Sequence, residues 1–132
     1  MHHPKNEYTV KDATGKALYS LKINKITEMA ERNQFSDKDP ALVIMIDYIY
    51  TNIANKEDLY LGDIYFKVVD SAGKIGYTYP NSPINYPQSI PQGATCNAQI
   101  IFGLDTKSDI VKVYFYKDLF GQATATFELP VE

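Results

Sequence analysis

Six aspartates fall in three close pairs, Asp37 with Asp39, Asp58 with Asp63 and Asp105 with Asp109, and they are the residues of this chain best equipped for chemistry. Two carboxylates brought together can hydrolyse a glycosidic bond, one as the acid and the other as base or nucleophile. Strand ends can converge in space, so such a pair stays open, although no spacing singles one out. Calcium needs several oxygens gathered by a tight loop. Asp105-Thr106-Lys107-Ser108-Asp109 offers some, but Lys107 at its centre opposes a cation. Solvated turn residues are the better reading of all three pairs.

Nucleophilic catalysis needs a base beside the nucleophile, most often histidine. Both histidines sit in the opening Met1-His2-His3-Pro4, which has the look of a vector-derived remnant. A Ser-His-Asp or Cys-His site is therefore not expected, nor is a His-ligated transition metal. The single thiol, Cys96, cannot pair within the chain, and the alternation Ala94-Thr95-Cys96-Asn97-Ala98-Gln99-Ile100-Ile101-Phe102 puts it on one strand face with Ala98, Ile100 and Phe102. That predicts an inert, buried cysteine. The expectation is a protein that is not an enzyme and holds no metal or cofactor.

The 132 residues carry a formal charge of -3 with both signs scattered, so nothing funnels toward nucleic acid. One domain of this length buries roughly two-thirds of its unfolded surface and needs no disulfide or metal to hold it. The longest apolar run, Ala41 to Ile46, is too short to cross a bilayer, and the first twenty residues lack the order of a signal peptide. The chain as given reads as soluble. Eleven tyrosines and six phenylalanines, with no tryptophan, suit amphipathic strand faces, where a ring packs while its hydroxyl stays wet.

The elements that must position any site are strands. Apolar and polar residues alternate in stretch after stretch, punctuated by Gly, Pro, Asn and Asp clusters. Strands are predicted over Glu7 to Lys11, Ala17 to Ile26, Ala41 to Ile53, Leu59 to Val69, Ile75 to Tyr79, Ala94 to Phe102, Ile110 to Lys117 and Gln122 to Leu129. Thr27 to Gln34 is read as a short helical turn. Turns are expected at Asp12-Ala13-Thr14-Gly15 and at Asp70-Ser71-Ala72-Gly73, where glycine supplies a positive φ. Prolines 80, 83, 87 and 91 make Pro80 to Gly93 an extended, ordered surface loop. The resulting fold class is all-β, a two-sheet antiparallel immunoglobulin-like sandwich of seven to eight strands, with a small closed barrel as the alternative. Residues 1–6 form a remnant or flexible N-terminus, and residues 7–132 form a single domain.

Two surfaces stand out. Leu42, Ile44, Ile46, Tyr48 and Tyr50 make one face of the longest strand, while Val43, Met45, Ile49 and Ile53 make the other, interrupted by Asp47. Outward apolar residues at Val43, Met45 and Ile49 would form a homodimer or partner interface unless the N-terminal segment or the Pro-rich loop covers them. Tyr77, Tyr79 and Tyr86, with Asn81, Asn85 and Gln88 among them, offer aromatic and amide groups suited to sugars or peptides. Alternatively these rings pin the loop to the sheet. An open strand edge could also accept an extended peptide.

The order Ile46-Asp47-Tyr48-Ile49-Tyr50-Thr51-Asn52, then Phe66-Lys67-Val68-Val69-Asp70 with Gly73, then Ile90-Pro91-Gln92-Gly93 leading to Ile100-Ile101-Phe102, resembles the DUF4352 domain over about Tyr19 to Glu128. That resemblance implies a telokin-like, immunoglobulin-type sandwich of exported Gram-positive lipoproteins, whose members share no catalytic site. It places the inner face of the longest strand at Leu42, Ile44, Ile46, Tyr48 and Tyr50. It also implies a place on the extracellular face of the cell membrane, through a lipid anchor upstream of these residues. The tyrosine-rich longest strand, Ala41 to Ile53, and the Pro-rich loop depart from the family pattern. The functional expectation is a non-catalytic extracytoplasmic module that binds a protein or cell-envelope component. The alternative is a cell-surface protective or exclusion protein of a mobile element.

Overall fold

The computed structural model describes residues 6–33, 36 and 38–132, and builds them into eight strands. These are β1 (Glu7–Lys11), β2 (Ala17–Glu28), β3 (Leu42–Asn52), β4 (Phe66–Val69), β5 (Tyr77–Thr78), β6 (Thr95–Leu104), β7 (Ile110–Phe115) and β8 (Ala125–Pro130). One sheet has the order β1-β2-β3-β6-β5 and the other β4-β7-β8, with every pairing between neighbours antiparallel. The result is the two-sheet sandwich that the alternation calls for. His2, His3, Gln34 and Asp37 lie outside the described residues.

Strand alternation builds the core directly. Leu42, Ile44, Ile46, Tyr48 and Tyr50 of β3 all point between the sheets and are fully buried, joined by Tyr19, Leu21 and Ile23 of β2. Ile26 is also fully buried, although three residues from Ile23. A register shift between Ile23 and Lys25 absorbs the odd spacing, as an extra residue in one strand does at a bulge. Aromatic rings then join the sheets: Tyr48 meets Phe66 edge-on at 5.2 Å between centroids, and Phe66 meets Phe115 at 5.6 Å.

Two paired turns use the same device. Asp12 Oδ1 accepts the N–H groups of Thr14 and Lys16, and Asp70 Oδ1 accepts those of Ala72 and Lys74. Gly15 and Gly73 close them with φ of +88° and +82°.

Three expectations need correction. The segment from Thr27 does not turn into a helix: β2 continues through Thr27 and Glu28, paired with Met45 and Ile44 of β3, and the described residues beyond it are irregular. Pairing with a long neighbour outweighs the weak helix propensity of four residues. Second, Leu59 to Val69 is not one strand. Leu59 exchanges two main-chain hydrogen bonds of 2.8 Å with Ile90, a 3₁₀ turn occupies Asp63–Tyr65, and only Phe66–Val69 is strand. The chain must leave the sheet of β3 and enter the other sheet here, and a straight strand cannot do that. Third, the strand predicted over Ile75 to Tyr79 shortens to two residues, and that predicted from Gln122 begins at Ala125.

The sheets are also laced at their margins. The Glu132 N–H donates to the Ile26 carbonyl at 2.8 Å and the Glu28 N–H to Glu132 at 2.9 Å, so the C-terminus continues the edge of β2 where β1 has ended. The Gly76 N–H donates to Val68 at 2.7 Å immediately before β5 joins the opposite sheet. Among the described residues no helix is long and apolar enough to cross a membrane.

Candidate functional site

The site begins with two core tyrosines. Tyr48 reaches past the core to donate its hydroxyl to the Leu61 carbonyl at 2.6 Å, and the Tyr50 hydroxyl bonds both main-chain groups of Gln88. One fastens the crossing segment 59–61, the other the Pro-rich loop. With the Leu59 and Ile90 pairing, these bonds hold the two segments beside each other along the edge of β6. Burial pushes both phenols well above their ordinary range, so they stay protonated donors.

The loop is held from its other side by a polar relay. Asp47 Oδ1 accepts Gln99 Nε2 at 2.8 Å across β3 and β6, and Gln99 Oε1 accepts the N–H groups of Ile84 and Asn85 at 2.9 and 3.1 Å. The Gln99 N–H in turn donates to the Asn85 carbonyl at 2.8 Å. Asn85 thus acts here through its main chain, with its side chain exposed. Four prolines cannot supply donors, so the loop's order depends on the side chains that reach it.

Over the outer face of the larger sheet lies a small second cluster. Val43 is fully buried there with Tyr79 and Ile101, and Met29, Met45 and Tyr77 pack against it. Met29 just after β2 and Tyr79 just after β5 therefore cover Val43. Met45 and Ile49 are half-buried. The Tyr79 ring is 4% exposed, and its hydroxyl accepts the Asn33 N–H at 2.7 Å. Tyr77 is half-buried beneath the Lys38 ammonium, 5.2 Å from the ring centroid, and its phenol is shifted upward chiefly by burial.

Between the two fastened segments opens a pocket of about 210 Å³, bordered by Tyr60, Asp63, Tyr79, Asn81, Tyr86 and Gln99 among others. Pro83 and Pro87 add apolar wall. Tyr60 and Tyr86 are 44% and 56% exposed. Among the described residues their hydroxyls and the Asp63 carboxylate make no hydrogen bond, so all three remain available at the mouth. The structure thus brings Tyr79 and Tyr86 together and places Tyr77 and the Asn85 side chain outside their pocket. Tyr60 and Asp63 complete it from a segment that alternation alone reads as plain strand. The Gly62-Asp63 pair interrupting that strand was the available signal.

Tyr60 is set by its neighbour. A Cβ on Gly62 would lie 2.3 Å from the Tyr60 hydroxyl and 2.5 Å from the ring carbon bearing it. The ring lies across the bare glycine, beside the pocket. A larger residue at 62 would displace it.

The other candidate groups stay apart. Asp58 and Asp63 are exposed and border different depressions. Asp105 and Asp109 are exposed, while Ser108 between them is buried, accepting the Ser71 N–H and donating to Thr106. Asp39 is exposed and Asp37 lies outside the described residues. Among the described residues no group of three or more His, Cys, Asp or Glu is placed to hold a metal ion. Cys96 is buried on the inner face of β6 with Ala98, Ile100 and Phe102.

An all-β two-sheet sandwich with a tyrosine-bordered pocket at one sheet edge is the class this fold and site define. Solved proteins share the fold. The candidate lipoprotein ycdA of Bacillus subtilis superposes with a TM-score of 0.72 at 12% identity, over 97% of this chain and 39% of its own. The secreted protein MPT63 of Mycobacterium tuberculosis gives 0.63 at 14% identity, over 94% and 91%. The yjhA protein of Bacillus subtilis gives 0.53 at 12% identity, over 87% and 92%. This chain therefore spans well under half of ycdA. No protein-family model and no curated protein matches the chain. At such identities the likeness is one of fold.

Proposed function

We propose that this domain is a non-catalytic, extracytoplasmic binding module of a bacterial lipoprotein, and that its binding site is the pocket at Tyr60, Asp63, Tyr79 and Tyr86. The observation that carries the reading is the combination of exposed aromatic rings and unbonded polar groups on two segments fastened beside each other, Tyr60 and Asp63 on one and Tyr86 on the other. A loop held by Tyr50, Gln99 and Ile90 needs little further ordering when a ligand arrives, which lowers the cost of binding. Two of the three structural relatives carry names that say lipoprotein or secreted, and the motif order resembles the DUF4352 domain of exported lipoproteins. Those likenesses support the location. The partner is a cell-envelope component, reached through a lipid anchor in a longer form of the protein.

The test is sedimentation of the purified domain with washed Gram-positive cell walls and membranes. Binding to either fraction that falls at least tenfold in the Tyr60→Ala and Tyr86→Ala variants, at unchanged melting temperature, supports the reading. Equal binding by wild type and both variants would remove the pocket from the function, and no binding to any envelope fraction would remove the function itself.

A further inference from the structure

Resting on the reading of this pocket as the binding site, we propose that it is a cage for a small organic cation, a quaternary or methylated ammonium group held by the tyrosine rings and the Asp63 carboxylate. Three of the lining residues are tyrosines, and the one charged residue among them is Asp63. Among the described residues no Lys or Arg borders the pocket, so no cationic side chain there would pair with an anionic ligand. Aromatic rings attract a cation through their quadrupole, and a neighbouring carboxylate adds to the same sign of field. An ammonium carrying methyl groups also suits the prolines, since its surface is apolar while its charge is diffuse.

Size points the same way. A cavity of about 150 Å³ takes a benzene ring, and this one, at about 210 Å³, has room for a trimethylammonium head with its attached chain leaving through the mouth. Two of the protein's own cations already sit over tyrosines elsewhere. Lys38 lies over Tyr77 and Lys67 lies 4.9 Å from the Tyr116 centroid, both outside the pocket.

The two exposed rings differ in how they are held, which separates positioning from contact. Gly62 holds open the place where the Tyr60 ring lies, and the three atoms nearest a Cβ at 62 all belong to that exposed side chain, which would have to move. Gly62 is therefore a positioning residue, and Tyr60, Tyr86 and Asp63 are ligand contacts.

The experiment titrates tetramethylammonium and choline chlorides into the intact domain at constant ionic strength, following tyrosine ring resonances by NMR. The uncharged isostere 3,3-dimethylbutan-1-ol serves as comparator. The proposal expects saturable shifts at the pocket tyrosines with both cations and binding of the isostere weaker by about tenfold or more. Tyr86→Ala and Asp63→Asn, both exposed, should each weaken choline binding by about fivefold or more at unchanged melting temperature. Gly62→Ala should weaken it while every ligand contact is still present in the sequence. Equal binding of choline and its isostere, or no saturable shift with either cation, overturns the proposal. If envelope binding still requires Tyr60 and Tyr86 in that case, the cation is wrong and the binding module stands. Cation binding by a domain that ignores all envelope fractions would leave the cage and remove the module reading.

Discussion

The hydroxyl of Tyr50, near the C-terminal end of β3, donates to the carbonyl of Gln88 and accepts the Gln88 N–H at 2.9 Å, across 38 positions of sequence. A single core side chain thereby satisfies both main-chain groups of a loop residue that has no strand partner. Its ring meanwhile stacks at 6.0 Å on Tyr48, whose hydroxyl donates to the Leu61 carbonyl.

Tyr50→Phe keeps the ring and removes both bonds. Leaving the partially buried Gln88 groups unmet should cost about 1–3 kcal/mol. Urea denaturation reads the loss, and hydrogen exchange should show faster exchange at Gln88 and Ile90 than in the β2 and β3 pairing.

Tyr79 and Tyr86 should separate cleanly under substitution. Tyr79→Ala opens a cavity under Val43 and Ile101 and removes the hydroxyl that accepts the Asn33 N–H, so a cost of about 3 kcal/mol or more is expected. Tyr86→Ala touches an exposed ring and should stay within about 0.5 kcal/mol. Equal losses in thermal unfolding would mean that Tyr86 also pins the loop.

Gln99→Ala breaks the relay between Asp47 and the loop. Asp47 Oδ2 is already buried without a partner among the described residues, and the substitution leaves Oδ1 in the same state. The expected cost is about 1–3 kcal/mol. Exchange protection should fall at Ile84 and Asn85, whose N–H groups lose their acceptor. Normal protection there would show that the bonds from Tyr50, Leu59 and the residue 99 N–H hold the loop without the Gln99 side chain.

Alkali should unfold this protein through its buried phenols. Burial is the main cause raising Tyr19 from 10.0 to about 12, and burial raises Tyr48 and Tyr50 as well. Above pH 10 the unfolded chain gives up these protons while the folded chain retains them, so stability falls as pH rises. The Tyr19 contribution is intact below pH 10 and declines through about pH 12. Denaturation midpoints measured across pH 8–12 should be level at first and then fall, whereas a level curve throughout would mean the rings ionise freely in the fold.

The Asp12 carboxylate works in the opposite direction. The Thr14 hydroxyl and the Lys16 N–H hold Asp12 below its ordinary value of 3.8, and this contribution is present above that pH and lost on acidification through the lowered value. Because Asp12 is exposed, the effect on the acid limb should be small, and Asp12→Asn should leave the alkaline limb unchanged.

Much of the architecture was legible because strand alternation is a local signal with a period of two. Leu42, Ile44, Ile46, Tyr48 and Tyr50 had to share a face, and the turn types at Asp12-Gly15 and Asp70-Gly73 follow from side-chain acceptors two and four residues away. Local chemistry also marked Pro80 to Gly93 as ordered loop. The sequence alternation could not reveal that Leu59 to Val69 breaks at Gly62, since the break serves a crossing between sheets that exists only once both sheets are assembled. Nor could it show that Val43 lies beneath Tyr79, or that Tyr60 and Asp63 face Tyr86 across a pocket. Those relationships join residues about 20 to 40 positions apart through Tyr48, Tyr50 and Gln99, whose long-range hydrogen bonds leave no periodic trace in the chain. Composition and period determined the strands, while the closing of the core around buried hydroxyls decided which tyrosines became structure and which stayed exposed at the pocket mouth.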